Sequence, residues 1–373
     1  MKFRVERDPL AEAVAWTARS LPARPAVPVL GGVLLEVADS TLTVSGFDYE
    51  VSTQVEVDVH AATPGRSLVS GRLLAEISRA LPPHPVDVAV DGPRVTISCG
   101  SARFTLPVMP VEDYPTLPTM PTTAGVVDSV TFATAVGQVA VAAGRDDTLP
   151  MLTGVRLEIE GEQLRLAATD RYRLAVRELL WKPEQADLSA QVLIPARTLA
   201  ESAKTLTTGA EITLALSGGG AGEGMIGFAG PGRRATTRLL DAEFPKYRSL
   251  FPSEWSATAD IPVPGLVEAV KRVALVADRG TPVRLDFTEG SLALTAGGDD
   301  EGRAEEQVEV QFSGEPLTIA FNPSFLLDGL TAVHAGIARM SFTTPSKPSV
   351  VTAVDGDGTT DFRYLIMPVR LPG

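Results

Sequence analysis

The chain has 373 residues, 44% of them hydrophobic, which is enough to bury several cores of ordinary domain size. Its formal charge of −13 argues against a protein that binds nucleic acid over its whole surface, because each neutralised phosphate requires a lysine or an arginine. No apolar run approaches the roughly 18 residues of a membrane helix and no signal-peptide core follows Met1, so we expect a cytoplasmic globular protein without membrane contact.

The first third of the chain predicts two helices and a series of short strands. Residues 2–6 alternate as a strand, and we expect a helix to follow with Asp8 at its N-cap, Pro9 at its first position and Leu10 and Val14 on its apolar stripe. The other elements expected here are a second helix over 70–80 and strands over 33–37, 41–45, 51–59, 86–90, 94–98 and 102–108. Two helices among antiparallel strands are typical of an α+β domain.

The rest of the chain contains two further parts of this kind, joined by linkers. Residues 114–123 are rich in proline and predict an extended linker, whereas 244–252 carry several aromatic residues and predict a linker that is partly packed. Further helices are expected over 132–143, 197–206 and 266–277. The glycine-rich segments 218–224 and 355–358 predict hairpin connections, because the first lacks the lysine and helix of a phosphate loop and the second lacks the ligand series of a calcium loop.

One sequence pattern occurs three times. Val33 opens VLLEV, Val155 opens VRLEI and Val283 opens VRLDF, and each is followed by a turn and a second apolar run. Val155 lies 122 residues after Val33, and Val283 lies 128 residues after Val155. Repeats at this spacing are whole domains, too long for the short units of solenoids. The sequence therefore predicts three tandem α+β domains at 1–118, 129–250 and 258–373.

The threefold repeat and several short strings together resemble the bacterial DNA polymerase III beta subunit family, the sliding clamps. The strings are TDRYRLA at 169–175, FPKY at 244–247 and MPVRL at 367–371, and the Arg24-Pro and Asn322-Pro pairs also stand where that family has similar residues. The resemblance covers essentially the whole chain. It implies the DNA clamp fold: a ring-forming, head-to-tail homodimer whose helices face a hole that encircles double-stranded DNA.

The resemblance also implies a non-enzymatic processivity factor with three functional surfaces. A groove between the second and third domains is expected to accept short peptide motifs from the DNA polymerase III alpha subunit, the clamp loader, and repair and translesion polymerases. By position, the groove falls on Leu152, Thr169, Arg171, Tyr172, Arg173, Leu174, Pro245, Ser249, Leu250, Val350, Met367, Pro368, Val369 and Arg370. The expected DNA contacts are Arg24, Arg72, Arg79, Arg197, Lys204 and Lys271. The expected dimer contact joins Arg103, Phe104 and Leu106 to Arg272, Leu275 and Val276.

The residue types suit these roles. Leucine, methionine, valine and proline make an apolar floor that adapts to several ligands, while arginine and threonine supply hydrogen bonds at its rim. A few phosphate contacts carry no sequence information and bind weakly enough to allow sliding. Tyr172 stands where many family members have histidine and Ser249 where some have arginine, so the preferred peptide is left open.

Two other classes of function stay open from the residues alone. An enzyme would use a carboxylate pair, for which Asp170 and Asp241 are the best candidates, although no nucleophile, phosphate loop or metal-ligand spacing accompanies them. A repeat scaffold could carry peptide grooves without holding DNA. Cys99 is the single cysteine and is expected to be buried on a strand, and the three histidines lie far apart, so neither a metal nor a cofactor is expected.

Overall fold

The computed structural model of the chain describes residues 1–217, 224–277, 281–297, 302–354 and 361–370. The hairpin connections predicted at 218–224 and 355–358 lie outside these residues, apart from Gly224.

The helices and strands follow one another in the order expected for repeated α+β units. The first are β1 Lys2–Val5, α1 Arg7–Arg19, β2 Gly32–Ala38, β3 Thr41–Phe47, β4 Val51–Asp58, β5 His60–Thr63, β6 Gly65–Ser70, α2 Gly71–Ala80, β7 Val86–Asp91, β8 Arg94–Cys99 and β9 Ala102–Pro107. Next come β10 Thr122–Asp128, α3 Ser129–Ala140, α4 Pro150–Thr153, β11 Gly154–Glu160, β12 Gln163–Thr169, β13 Arg173–Leu180, β14 Lys182–Pro183, β15 Ser189–Pro195, α5 Ala196–Thr205, β16 Glu211–Leu216, β17 Met225–Gly230 and β18 Arg233–Arg238. Last are β19 Ala257–Pro262, α6 Val263–Val273, β20 Val283–Thr288, β21 Ser291–Ala296, β22 Ala304–Glu309, β23 Gln311–Ser313, β24 Leu317–Phe321, α7 Pro323–Ala332, β25 Ile337–Phe342, β26 Ser349–Ala353 and β27 Phe362–Ile366.

One compact unit, unit 1, comprises residues 1–130, 182–185 and 201–239 and contains two antiparallel sheets. The smaller sheet has the strand order β5-β1-β7-β8-β9, and the larger has the order β14-β10-β16-β17-β18-β4-β3-β2-β6. Helix α1 packs against α2 and against β3 and β4. Strands β4 and β18 are distant in the chain and join in the middle of the larger sheet, where the hydroxyls of Ser52 and Thr236 are 2.8 Å apart.

The other compact unit, unit 2, comprises residues 131–181, 186–200 and 240–373. Its larger sheet has the order β15-β11-β12-β13-β27-β26-β25-β19-β23, and its smaller sheet has the order β22-β21-β20-β24. Helices α6 and α7 pack against each other, and α7 also packs against β27. Asn322 caps α7 by accepting hydrogen bonds from the backbone N–H groups of Ser324 and Phe325, which fixes where that helix begins.

The three predicted repeats fold into hairpins of the same register. The cross-strand pairs at equivalent positions are Leu35 with Val44, Leu157 with Leu166, and Leu285 with Leu294. Val33, Val155 and Val283 are all completely buried. The register of a strand decides which face each side chain occupies. The shared register therefore confirms that the three sequence patterns occupy equivalent places in their hairpins.

The start of the first helix differs from its prediction. Helix α1 begins at Arg7, with Glu6 in the N-cap position, and the side chain of Glu6 makes no capping hydrogen bond. Asp8, predicted as the N-cap, lies inside the first turn, where its negative charge is favourable beside the exposed backbone N–H groups. The prediction of Asp8 as the cap was therefore wrong.

Two later helices begin three residues before their predicted starts. Helix α3 begins at Ser129, and α6 begins at Val263 because Pro264 is tolerated in a first turn, where its missing N–H has no helical partner to lose. The α-helical part of α6 ends at Val273, and the predicted remainder is a 3₁₀ turn, Ala274–Val276.

The proline-rich linker is not a free spacer. Tyr114 packs against the buried side chains of Val29, Leu34 and Leu68 in unit 1, and its burial raises the pKa of the Tyr114 hydroxyl to about 12. Strand β10 begins at Thr122, so the last two residues of the predicted linker belong to a strand. Cys99 is buried at the end of β8, as predicted.

Candidate functional site

The turn between β12 and β13 in unit 2 positions several of the predicted groove residues. One carboxylate oxygen of Asp170 accepts hydrogen bonds from the N–H groups of Tyr172 at 3.0 Å and Arg173 at 3.1 Å. The hydroxyl of Thr169 donates to the carbonyl of Arg173 at 2.6 Å and accepts from the N–H of Arg171 at 3.2 Å. Arg171 has a φ of 79°, in the left-handed region that favours glycine. The turn is thus held by side chains of its own sequence.

The first repeat contains the same turn between β3 and β4. There Asp48 accepts hydrogen bonds from the N–H groups of Glu50 at 3.0 Å and Val51 at 2.7 Å, and Tyr49 has a φ of 77°. The equivalent conformation at both places shows that this turn is part of the repeated unit. What distinguishes the second copy is therefore its side chains and their neighbours.

Arg173 lies at the centre of the polar contacts around this turn. Its guanidinium bonds to Asp170 at 2.9 Å and to Asp328 of α7, and it lies 4.4 Å from the centre of the Phe325 ring. Burial lowers the pKa of Arg173, whereas the neighbouring Tyr364 oxygen and the carboxylates of Asp328 and Asp170 raise it above its ordinary value. Arg173 therefore stays charged and holds the turn against α7.

Phe325 is held in place by one contact to its backbone and one to its ring. The hydroxyl of Tyr364 donates a 2.8 Å hydrogen bond to the Phe325 carbonyl, and the Tyr172 ring stacks on the Phe325 ring with centres 6.2 Å apart. The Tyr172 side chain is 60% exposed, so a large aromatic surface stays accessible to solvent. The carbonyl of Tyr172 accepts a 2.8 Å bond from the N–H of Met367, which brings the C-terminal segment beside the turn.

A cavity of about 520 Å³ opens beside these residues in unit 2. Its lining includes four of the predicted groove residues, namely Leu152, Arg171, Tyr172 and Arg173. The sequence-based prediction of the groove missed the other lining residues. They come from the loop after α3 (Ala143, Gly144, Arg145, Asp146 and Leu149), from the turn itself (Asp170) and from α7 (Ser324, Phe325 and Asp328). The Asn322-Pro pair at the start of α7 was the available signal for the α7 residues.

The remaining predicted groove residues divide between the surface and the core. Leu250 and Met367 are exposed at 49% and 37%. Leu174 and Val350 are buried in one apolar cluster with Phe244 and Tyr247 of the second linker, which confirms that this linker is partly packed. Thr169 is also buried, at 7% exposed. The other members of the set are exposed or partly exposed, and they are Pro245, Ser249, Pro368, Val369 and Arg370.

A network of charged side chains ties the second linker to the sheet. Glu158 on β11 is 4% exposed and accepts hydrogen bonds from Arg156 at 2.8 Å, Arg165 at 3.2 Å and Arg248 at 2.5 Å. Burial raises the pKa of Glu158, but the hydrogen bonds from the three arginines outweigh this and its pKa lies below the ordinary value. Because Arg248 opens the 3₁₀ turn Arg248–Leu250, the network fixes the backbone that carries Leu250.

The predicted DNA contacts are exposed cations on helices and one loop. In unit 1, Arg24, Arg79 and Lys204 form no ion pair among the residues that the structure describes, and Arg72 pairs with Glu76 on its own helix. In unit 2, Arg197 is likewise unpaired within the described part of the chain. Lys271 pairs with Glu268 one turn earlier. Arginines on strands are more often paired with carboxylates, such as Arg4 with Asp87 and Arg339 with Asp260.

Half of the residues predicted for the dimer contact lie on an edge strand, and the other half lie on α6 and the 3₁₀ turn that follows it. Strand β9 is at the edge of the five-stranded sheet and carries exposed Arg103 and partly exposed Phe104, while Leu106 faces the core. Strand β22 is at the edge of the four-stranded sheet, and Arg272 of α6 pairs with Glu306 on it. Leu275 is 84% exposed, an unusual position for a leucine, and Val276 is partly exposed.

One of the two carboxylates considered for an enzyme is fully engaged in structural contacts. Both oxygens of Asp170 are engaged, one by the turn and one by Arg173, and Asp241 is exposed. Within the described residues, no group of three or more histidine, cysteine, aspartate or glutamate side chains could hold a metal ion. No helix in the described ranges is long and apolar enough to cross a membrane.

Comparison with known proteins matches the chain from end to end. Family models for the DNA polymerase III beta subunit match in succession: its N-terminal domain at residues 1–118, its central domain at 126–246 and its C-terminal domain at 248–370. The beta sliding clamp of Streptomyces coelicolor is 59% identical, with all of both chains covered, and the beta sliding clamp homolog GriR of Streptomyces muensis is 48% identical, with 99% of each covered. A crystal structure of the Pseudomonas aeruginosa sliding clamp bound to griselimycin has a TM-score of 0.91 at 29% identity, with all of both chains covered.

Proposed function

The chain belongs to the DNA polymerase III beta subunit family, the bacterial sliding clamps, and from this premise we propose which of its surfaces binds partners, which faces DNA and which joins two copies. It is a DNA sliding clamp, a non-catalytic accessory subunit of DNA polymerase III and a processivity factor that forms homodimers and binds DNA, polymerase and clamp loader. Family membership therefore decides against the enzyme and against the scaffold without DNA. We place the protein in the cytoplasm, where the DNA that it acts on lies.

The partner groove is assigned to the cavity beside the 169–174 turn and to the apolar surface next to it. The observation that carries this proposal is the exposed ring of Tyr172 at a concave site whose Arg173 is already paired with carboxylates, with the N–H of the exposed Met367 bonded to the Tyr172 carbonyl. Leu250, also exposed, follows Tyr247, which packs in the same apolar cluster as Leu174. Concave sites with apolar walls and a few fixed polar groups are the usual form of peptide and small-molecule sites. The groove residues predicted from the sequence keep this role in the proposal, with Phe325 added to them.

The test substitutes surface residues rather than core residues. Because Leu174 is only 1% exposed, a charge there would disrupt the fold as well as the groove. Leu250→Glu with Met367→Glu changes two exposed positions, and we expect it to lower the affinity for purified DNA polymerase III alpha subunit at least about tenfold, the loss expected for a small cluster of central interface residues. Surface plasmon resonance measures the change.

A matched control comes from the same unit. Ile337 is 46% exposed and lies at the end of β25 opposite to Ser341, the residue that pairs with Val350. Ile337→Glu should leave the affinity for the alpha subunit unchanged, and sedimentation should show the same dimer mass for both variants. Equal affinity of the double variant and the unmodified chain would contradict the assignment of the groove.

The exposed cations on the helices, together with Arg24 of one loop, are assigned to DNA. Arg24, Arg79, Arg197 and Lys204 are free to meet phosphates because no carboxylate of the described residues neutralises them, whereas arginines of the sheets are largely paired. Such contacts give weak binding that does not depend on sequence, as sliding requires.

The edge strands β9 and β22 are assigned to the dimer contact. A head-to-tail contact uses two different surfaces of the chain, and β9 and β22 are each one of the two edge strands of their sheet, with one side that pairs with no further strand in the described residues. Leu275 supplies the exposed apolar centre, and Arg103 and Arg272 supply charge at its rim.

A further inference from the structure

Arg233 lies in unit 1 where the first and second repeats meet. It is the first residue of β18, and β18 of the second repeat pairs with β4 of the first repeat. The carbonyl of Gly232, the residue before it, accepts a 2.8 Å hydrogen bond from the N–H of Glu56 on β4. The backbone at Arg233 is therefore fixed to the sheet of the first repeat.

The side chain of Arg233 reaches from this sheet to helices of both repeats. Its Nη1 atom donates a 3.2 Å hydrogen bond to the carbonyl of Thr205, the last residue of α5. Its Nη2 atom binds the carboxylate of Glu12 on α1, and the guanidinium lies 5.9 Å from the centre of the Trp16 ring. A cation is favoured at both places, because the C-terminal end of a helix carries partial negative charge and an indole ring attracts a cation over its face.

The contacts of Arg233 differ from those of the next residue on the strand. The Arg233 side chain is only 14% exposed, and the Trp16 ring is buried. Arg234 also joins the two repeats, by a 3.2 Å ion pair with Glu56, but both of its partners are about half exposed to water. An exposed pair of that kind contributes little stability, so Arg233 is the residue of the two that can fix the junction.

The junction between the second and third repeats, in unit 2, has an equivalent contact made by a different residue. Trp16 lies six residues after the buried Leu10 of α1. In α3, Gln138 lies six residues after the buried Phe132 and so takes the place of the tryptophan. Gln138 is itself buried, and its amide NH₂ donates a 2.7 Å hydrogen bond to the carbonyl of Ala332.

Both contacts end on the same atom of the repeat that follows. Helices α5 and α7 each have ten residues, so their last residues, Thr205 and Ala332, are equivalent. The carbonyl of this last residue is tied to the first helix of the preceding repeat, directly by Gln138 at one junction and through Arg233 at the other. The recurrence indicates that this contact determines how one repeat meets the next. The first junction depends on a charged side chain, whereas the second uses a neutral amide.

The rigidity of a junction between repeats matters in a ring that two copies close. Once one head-to-tail contact has formed, the second contact is intramolecular, and its strength depends on how well the chain holds its two surfaces together. A junction that bends more freely lowers this effective concentration and leaves the first contact unchanged. The ring then opens more often, although the two copies stay joined.

We propose that Arg233 is a positioning residue that fixes the junction between the first and second repeats, and that the lifetime of the closed ring on DNA depends on it. The proposal rests on the ring function of the family. It concerns none of the three surfaces assigned above, and it gives one largely buried side chain a part in keeping the ring shut.

The test measures how long the loaded protein stays on DNA. The full chain and Arg233→Gln are each loaded onto nicked circular duplex by a clamp loader with ATP, separated from the loader by gel filtration, and followed by the amount that remains with the DNA. Arg233→Gln should shorten the half-life about three- to tenfold, the range expected when a junction loses one partly exposed charged contact. Sedimentation should show an unchanged dimer mass.

Two further variants separate the junction from folding and from charge. Glu12→Gln changes a side chain that is exposed, so it leaves the core intact, and it should shorten the half-life in the same direction but by less. Arg234→Gln removes one positive charge from the same strand and also breaks a contact between the two repeats. Because that contact is exposed to water, Arg234→Gln should keep the full half-life.

Hydrogen exchange distinguishes a loosened junction from a general loss of stability. The N–H of Glu56 crosses the first junction to the Gly232 carbonyl, and the N–H of Met367 crosses the second junction to the Tyr172 carbonyl. Arg233→Gln should accelerate exchange of the Glu56 N–H and leave that of Met367 unchanged. A fold that is destabilised throughout would show faster exchange at both.

An unchanged half-life of Arg233→Gln would overturn the proposal, and so would an equal shortening in Arg234→Gln. A loss of dimer mass in Arg233→Gln, or faster exchange at Met367 as well as at Glu56, would show that the substitution acts through the dimer contact or the whole fold. If the unmodified chain leaves circular DNA as fast as linear DNA, the ring function itself fails, and this inference fails with it.

Discussion

Replacing Glu158 with glutamine should loosen the linker that carries Leu250 without unfolding the chain. The carboxylate is 4% exposed and receives hydrogen bonds from three arginines, whereas a glutamine of the same size would place an amide NH₂ against one of them. Breaking a buried ion pair usually costs about 3–5 kcal/mol. The cost here should be smaller, about 2–3 kcal/mol, since Arg165 keeps Glu178 and the Arg248 side chain is 58% exposed to water.

Hydrogen exchange measured by mass spectrometry reports where that free energy is lost. Because a tenfold change in an opening equilibrium corresponds to about 1.4 kcal/mol, residues 244–252 should exchange roughly 30- to 100-fold faster in Glu158→Gln. The Leu250 N–H, which donates to the Tyr247 carbonyl at 3.0 Å, lies in this segment. Asp87→Asn is the control, since the Arg4–Asp87 pair is about half exposed and should change exchange little.

The lowered pKa of Glu158 also predicts how the stability of residues 244–252 depends on pH. The folded-state pKa of Glu158 lies below its ordinary value, so its contribution to stability is complete above the ordinary glutamate pKa of about 4.3 and is lost as the pH falls toward the lowered pKa. Protection of residues 244–252 in the unmodified chain should therefore fall as the pH drops below about 4.3, and less so in Glu158→Gln. Unchanged exchange in this segment at neutral pH would refute the anchoring role of the network.

Three further outcomes are expected. Leu275→Lys should convert the dimer to monomers, and an unchanged mass in sedimentation would argue against the edge-strand contact. Arg171→Gly should raise the free energy of unfolding by up to about 1 kcal/mol in urea denaturation, because glycine removes the strain at a φ of 79°, and a lowered midpoint would contradict this. Arg79→Gln and Lys204→Gln should each reduce the slope of log affinity for duplex DNA against log salt by about 1, whereas Arg234→Gln, paired with Glu56 on a sheet, should leave it unchanged.

The repeat and the element order could be predicted from the sequence because they depend on local pattern. Alternation of apolar residues after Val33, Val155 and Val283 specifies a hairpin, and the register of each hairpin follows from which face is buried. The helix starts were less predictable. Several residues at the start of α1 can cap or enter a first turn at similar cost, and the choice of Glu6 over Asp8 depends on packing beyond the local sequence.

The turn at 169–174 could be identified from the sequence, but the residues that contact it from other parts of the chain could not. Arg173 meets Asp328 and Phe325 across more than 150 residues of chain, a contact that depends on the pairing of β13 with β27 and on the position of α7. No sequence feature indicated the left-handed backbone at Arg171, because glycine is the residue that usually marks such a conformation. Apolar residues occur both in cores and in the floors of grooves. The residue type alone therefore could not predict that Leu174 is buried.

Retention on circular DNA decides whether this chain works as a topological ring. The purified protein, loaded onto nicked circular duplex by a clamp loader with ATP, should stay bound through gel filtration and should leave when a restriction enzyme linearises the circle, because a ring that encircles DNA without gripping it slides off a free end. Retention that is the same on circular and linear DNA would show binding by surface contact instead, and would contradict the assignment of the helix cations to a sliding interface.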